Sequence, residues 1–481
     1  MSHSSHAMSK VSSSKVTSRR SVVKGGAALL GVSVLGLASR SGYGQAPRTR
    51  MDIVTFARDS TRLANFEGAV KEMQDRSARD PNDPRGWLAN ANLHRDFCST
   101  PGPSDAAQIH FCWWFIGWHR AYISVTERKI REISGDDSFT YPYWNWGTDR
   151  QIPDAYARPG SPLANAIRFP RTDPPGLTDG EVGLQHDDPE FEQLGVAALA
   201  ASFFEAKRGR DIPLSFGGIA RPNSENRFGN NAIEGTPHGP VHNFSGGLQG
   251  FGPTAVGGDM TDFETAARDP IFFAHHGNLD RLWENWRQTP AHRQSEPTRA
   301  AFVDHRFVFK WLDGTPIEVP MTDVLDTTKL GYTYDHLNVS RPGAPIVIAQ
   351  QAAPDRLAPI ASQKLSIPLA AQGVDDGSRK YLEITGVANP NMPLTVSVYL
   401  KPANAPSGDI GIEVGTFAAV KSGGKIDWPS DRLVFDITSA ARRLGGQEVT
   451  VELVPHRIGS ARDQNYPPLK YEKMEITTER P

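Results

Sequence analysis

A chain of 481 residues exceeds what one hydrophobic core usually organises, so two or three domains are expected. Basic and acidic residues nearly cancel, 52 against 54, and no basic block follows the first fifty positions, which leaves a nucleic-acid partner unsupported. Only Cys98 and Cys112 occur, too few for a disulfide scaffold, while 44 glycines and 37 prolines imply a globular chain with much ordered loop.

At the start of the chain, Ser18-Arg19-Arg20-Ser21-Val22-Val23-Lys24 precedes an apolar run from Gly25 to Ala38 that is too short to persist as a membrane span. Residues 1–46 therefore read as a targeting segment rather than a basic tail. The arginine pair with Lys24 resembles a twin-arginine signal, a route for proteins already folded around a cofactor. Export to the periplasm or the exterior is expected, with no stable membrane association afterwards.

Residues 47–305 form the expected catalytic domain, in which helical patterns alternate with loops rich in Pro, Gly and Asp. Leu63, Phe66, Val70 and Met73 recur at helical spacing, and Trp118 to Ile133 repeats the pattern. Further helices are predicted over Pro237 to Asn243 and Pro270 to Arg287. Four such helices with inward polar groups suggest a bundle with a metal site between them. Gln151 to Leu184 and Gly217 to Asn231 read as surface loops. Residues 306–340 look like a turn-rich connector. Within residues 341–481, Lys380 to Thr385, Leu394 to Leu400, Arg432 to Ile437 and Val449 to Val454 alternate apolar and polar side chains, which predicts an antiparallel β-sandwich. The expected fold is thus a mainly α central domain followed by a C-terminal β-sandwich.

Two histidine clusters carry the chemistry. The first comprises His94, His110 and His119; the second comprises His238 and His242 in Pro237-His238-Gly239-Pro240-Val241-His242, with His276 in Asp269-Pro270-Ile271-Phe272-Phe273-Ala274-His275-His276. His238 and His242 are four apart, so on a helix both imidazoles leave one face a turn apart and can share a metal. Asp280 lies four after His276 and could orient it, while His275 is expected to face elsewhere. His186, His292, His305, His336 and His456 read as ordinary core or surface histidines. Imidazole suits zinc, copper, iron and nickel, but hydrolytic two-metal sites and di-iron bundles normally add bridging carboxylates, and neither cluster offers one. Six neutral imidazoles favour two copper ions that bind dioxygen.

These residues resemble the type-3 copper proteins, most closely plant-like polyphenol oxidases and bacterial tyrosinases, from about Met51 to the C-terminus. Asp269-Pro270-x-Phe272-Phe273-x-His275-His276-x-Asn278-x-Asp280-Arg281-x-Trp283 resembles the family's second copper signature, and Trp118-His119-Arg120 with Pro142-Tyr143-Trp144-Asn145-Trp146 its first-copper region. The resemblance implies copper A on His94, His110 and His119, copper B on His238, His242 and His276, and dioxygen as co-substrate for oxidising phenols. It implies a thioether between Cys98 and His110, for which a free thiol or a Cys98–Cys112 bridge is the alternative. It also places Glu234 beside a water near copper B and Phe263 as an aromatic gate over copper A. Gly239 stands where efficient monophenol hydroxylases often carry Asn, and Gly117 and Asn145 also depart from common family residues. A diphenol oxidase with weak monophenol hydroxylation is therefore expected. Lys329-Leu330-Gly331-Tyr332-x-Tyr334 is similar to the plant tyrosine motif, and the C-terminal domain to one that shields the site in latent forms, so cleavage at about Arg341 to Arg356 should activate. The partner implied is a small phenolic substrate; the sequence leaves a copper chaperone and the oligomeric state open. A haemocyanin-like oxygen carrier, an o-aminophenol oxidase and a dinuclear zinc hydrolase are the competing readings.

Overall fold

The computed structural model describes residues 46–98, 109–110, 112–171, 175–184, 197–205, 215–220, 232–338, 357–367, 378–422, 424–428, 432–445, 448–459 and 464–479. The targeting segment, apart from Ala46, and the cleavage stretch from Arg341 to Arg356 lie outside these residues.

Among the described residues, five helices of eight residues or more build the central domain. The first, α1 (Ser60–Arg79), begins at Asp59, whose carboxylate accepts from the N–H groups of Thr61 and Arg62, and it buries Leu63, Phe66, Val70 and Met73. Next comes α2 (Trp87–Cys98), a helix beyond the four expected. Its buried face mixes Asn90 and His94 with Trp87, Ala91 and Leu93, which breaks the apolar period. The third, α3 (Trp114–Ser134), starts a turn earlier than its pattern suggests and ends at Gly135, where φ of 69° needs a residue without Cβ. The turn Glu234–His238 leads into α4 (Gly239–Gly246), and α5 (Ile271–Trp286) completes the set.

Asp280 on α5 joins the helices. Its carboxylate accepts from Arg50 Nη1 at 3.0 Å, from Tyr332 Oη at 2.6 Å, and from Arg120 on α3 and Tyr334 at short range. Asp280, Arg50, Arg120 and Tyr332 are fully buried and Tyr334 is partly buried. Burial alone would raise the Asp280 pKa, but Arg120 and Arg50 hold it below the usual carboxylate range. The carboxylate thus serves an ion-pair hub rather than orienting His276, whose Nδ1 has no hydrogen-bond partner. Arg50 and Tyr332 belong to β1 (Arg48–Arg50) and β2 (Tyr332–Tyr334), which pair in parallel, so the tyrosine motif closes the chain onto its own beginning.

The C-terminal part is β-rich. Its strands are β3 (Ala361–Ser366), β4 (Arg379–Thr385), β5 (Leu394–Pro402), β6 (Ile412–Ser422), β7 (Lys425–Asp427), β8 (Arg432–Asp436), β9 (Glu448–Pro455) and β10 (Lys473–Glu479). Five form an antiparallel sheet in the order β7-β6-β5-β9-β3 and three a second in the order β8-β4-β10. Side chains from both sheets, including Val396, Leu453, Leu382 and Phe435, share one apolar core. The four expected strands occur with their boundaries shifted by one or two residues.

The helical and β-rich parts interlock along β6. Phe417 and Ala419 face the C-terminal core, whereas Val420 belongs to the core of the helical domain; in exchange, Leu248 of the helical domain enters the C-terminal core. Part of the expected surface loop is buried at this junction. Leu177, Thr178, Asp179, Glu181, Val182 and Leu184 are covered, Arg171 pairs with Glu181 at 2.6 Å, and Glu181 lies 3.5 Å from the buried His456. The loop leaves the surface because β-rich chain lies over it, which no local pattern announces. Gly217 and Gly218, at the start of the second expected loop, are likewise buried rather than exposed.

Candidate metal centre

Two groups of histidines have ring nitrogens that lie within 4.8 Å of one another: His94, His110 and His119 in one, and His238, His242, His275 and His276 in the other. The seven side chains come from five pieces of the scaffold. His94 comes from α2, His110 from the segment before α3, His119 from α3, His238 and His242 from the start of α4, and His275 and His276 from α5. The helical spacing of His238 and His242 brings their ring centroids to 4.4 Å. The groups adjoin: His119 stacks on His276 at 4.0 Å with the ring planes 7° apart, and His110 lies 5.8 Å from His238.

Three of these imidazoles are aimed by backbone carbonyls. His94 Nδ1 lies 2.8 Å from the Phe263 oxygen, His119 Nδ1 2.7 Å from the Phe115 oxygen and His242 Nδ1 2.7 Å from the Met260 oxygen. A carbonyl only accepts, so the proton sits on Nδ1 and the lone pair is left on Nε2. The Nε2 atoms of His94 and His119, and both nitrogens of His238, are buried with no hydrogen-bond partner. Burial also keeps the rings neutral: it pushes the pKa of His119 down to about 3 and of His242 to about 4, and holds His94, His110, His238 and His276 well below the ordinary imidazole value. Buried, neutral, carbonyl-oriented imidazoles with outward lone pairs are what a metal pair requires.

Phe263 touches both groups, stacking on His110 at 4.2 Å and 11° and standing 5.4 Å from both His238 and His242. Glu234 is buried one turn before His238. Cys98 and Cys112 are both buried and not joined in a disulfide, so the bridged alternative does not form; burial and then Glu234 and Asp96 push the Cys98 thiol up. Gly239 has no room to spare: a Cβ there would meet the Ala418 Cβ of β6 at 3.1 Å.

His275 departs from expectation. Instead of facing away it is fully buried among the second group, 5.1 Å from His242 and 5.6 Å from His238 between ring centroids, because an imidazole is long enough to swing beside its neighbour on the same helix. His292, His305, His336 and His456 stay outside both groups, and His186 lies outside the described residues. The orienting carbonyls of Phe115, Met260 and Phe263 have no signature in the sequence, since every residue carries one.

Known proteins place this arrangement. Residues 84–289 match a family described as the common central domain of tyrosinase, and residues 296–345 match the polyphenol oxidase middle domain. A chloroplastic polyphenol oxidase from Malus domestica is 32% identical over 277 residues, covering 56% of this chain and 46% of that protein. Aureusidin synthase from Antirrhinum majus is 31% identical over 308 residues, covering 61% of this chain and 53% of that one. The chain thus spans about half the length of the curated relatives it matches. These relatives are plant proteins and lend no support to a bacterial origin. Among solved structures, latent apple tyrosinase shares the fold with a TM-score of 0.61 at 24% identity, covering 91% of this chain and 98% of that one. Latent aurone synthase gives 0.63 at 19%, covering 91% and 90%. Both family models match in sequence order, so residues 84–289 and 296–345 are similar to the central and middle domains of the tyrosinase and polyphenol oxidase family.

Proposed function

We propose that this protein is a dinuclear copper oxidase that uses dioxygen to convert o-diphenols into o-quinones and is held latent by its C-terminal domain. The observation that carries the reading is the meeting of two buried imidazole trios across a stacked His119–His276 pair. His94, His110 and His119 would hold one copper and His238, His242 and His276 the other. Donors of this kind suit copper, and among the described residues no carboxylate joins either group. The bound pair would supply dioxygen binding and accept the electrons of the phenol. The chain's own side chains would do the rest. The Phe263 ring provides a flat wall for an aromatic substrate, Glu234 would hold a water that takes the phenol proton, and the surrounding aromatics exclude bulk solvent. Gly239 offers no acceptor for that water, which disfavours monophenol hydroxylation.

Strand β6 supports latency. Ala418 sits against Gly239, the Ala419 carbonyl accepts from Asn243 at 3.1 Å, the Thr416 carbonyl accepts from Thr236 Oγ1, and Ser422 Oγ donates to the Cys98 carbonyl at 2.8 Å. A strand of the C-terminal domain therefore lies across the segments that carry the candidate ligands. The shared core of the two sheets fits a sandwich, and the ligand-bearing helices fit a bundle around the metals. The leader over residues 1–46 would direct twin-arginine export to the periplasm or the exterior. Among the described residues no helix is long and apolar enough to cross a membrane.

Oxygen uptake tests the reading. Copper-loaded protein is expected to oxidise catechol slowly, to speed up several-fold after proteolysis between Arg341 and Arg356, and to act on a matched monophenol more slowly than on the diphenol. An unchanged rate after cleavage removes the latency, and equal initial rates remove the role given to Gly239. Reversible oxygen binding without turnover would identify a carrier, a preference for o-aminophenols a different oxidase, and zinc as the resident metal a hydrolase.

Cys98 stands one turn after His94 on α2, buried and free of a disulfide, and we expect it to form a thioether with His110 in copper-loaded protein exposed to dioxygen, which would accept the two electrons and two protons lost from the thiol and the ring C–H. Peptide mapping should then recover the two residues on one crosslinked fragment, lighter by two hydrogens than its parts. Separate unmodified peptides would refute the bond.

A further inference from the structure

The second histidine group has one imidazole more than a trio needs. His275 differs from its neighbours in the direction of its hydrogen bond. The rings of His94, His119 and His242 give their Nδ1 protons to carbonyls, whereas His275 Nδ1 receives the indole N–H of Trp146 at 3.2 Å. An indole nitrogen only donates, so the His275 Nδ1 lone pair is taken and the proton of the neutral ring sits on Nε2. Such a nitrogen cannot bind a metal but can donate. The ring is fully buried, its Nε2 meets no acceptor among the described residues, and the side chain stands among His238, His242 and His276. A buried donor without a partner is a standing cost to the fold unless a ligand satisfies it.

We propose that His275 binds no metal and donates its Nε2–H to an anionic ligand seated at the His238, His242 and His276 trio, which in the reaction proposed above is the deprotonated phenol oxygen. This assignment rests on the oxidase reading. Trp146 acts as the positioning residue, because its indole N–H fixes which nitrogen of His275 carries the proton. Removing the donor should weaken anion binding while leaving the metals in place, and a glutamine amide should restore it.

The test uses the full-length copper-loaded chain and azide as the probe anion, followed by optical titration, with copper per chain and circular dichroism measured alongside. His275→Phe should keep two coppers and bind azide roughly tenfold more weakly, whereas His275→Gln should stay within about threefold of the parent. Equal azide affinity in parent and His275→Phe overturns the proposal, as does a loss of copper in folded His275→Phe and His275→Gln, which would make His275 a ligand. Should His275→Phe fail to fold, Trp146→Phe decides: it leaves the imidazole but releases its tautomer, so azide affinity should fall, and an unchanged value is a refutation. If the parent chain holds fewer than two coppers, the oxidase reading falls and this proposal with it. If it holds two and the affinities coincide, only the proposal falls.

Discussion

His242→Ala is expected to lower the copper content from two per chain towards one and to cut catechol oxidation by at least about a hundredfold, since replacing even the outer partners of a metal ligand commonly costs tenfold to a hundredfold. The reason is geometric. His242 is aimed by the Met260 carbonyl, with its Nε2 3.4 Å from the Nε2 of His276, a pair of nitrogens that an intervening ion would hold apart and satisfy. Alanine removes one of three donors and leaves a small buried void, while the apolar core around it is untouched, so the metal-free variant should melt close to the parent. Metal analysis and an oxygen electrode decide the matter. A variant that retains two coppers and full oxygen uptake would show that the second trio is not a metal site.

Asp280→Asn should be the most damaging single change to stability away from the ligands, at about 3 kcal/mol, because it leaves two buried guanidinium groups short of a partner. Arg50 keeps Glu127 at 2.9 Å and Arg120 keeps Glu284 at 2.7 Å, which limits the loss. The sign of the pH dependence follows from the depressed carboxylate. Its contribution is complete above the unfolded value of about 3.9 and disappears as the pH falls through the lower folded value. Urea unfolding of parent and variant should therefore differ most above about pH 5 and converge in stronger acid. A difference below about 1 kcal/mol at neutral pH would mean that the hub is held by its hydrogen bonds and not by its charge. Copper affinity should fall as well, since Arg120 follows His119 on α3 and Asp280 lies one turn after His276 on α5, and the hub sets how those two rings stack.

The two histidine groups and the helices α1, α3 and α5 are legible in the sequence because their periods are clean and their residue types are rare. What escapes is set by tertiary contact. The β6 strand, Ile412–Ser422, is covered on both sides and built partly from Gly415, Ala418 and Ala419, so it shows neither alternation nor bulk, although it is the strand that reaches the candidate metal centre. Helix α2 hides for a related reason: its inner face is polar where it meets the site. The tautomer of His275 depends on Trp146, 129 positions away, and no local pattern could reveal it.

Val420 and Leu248 each sit in the other domain's core. Exposing two such side chains costs roughly 3–6 kcal/mol, before the loss of the main-chain bonds beside them. On the latency proposed above, a cover anchored in this way would not breathe open and shut with passing substrate. Severed from the helical part, it would have little route back. Such an oxidase would have a silent period and a working life joined by a single irreversible event, and its output would be governed by how many molecules have been cut rather than by how often each one opens.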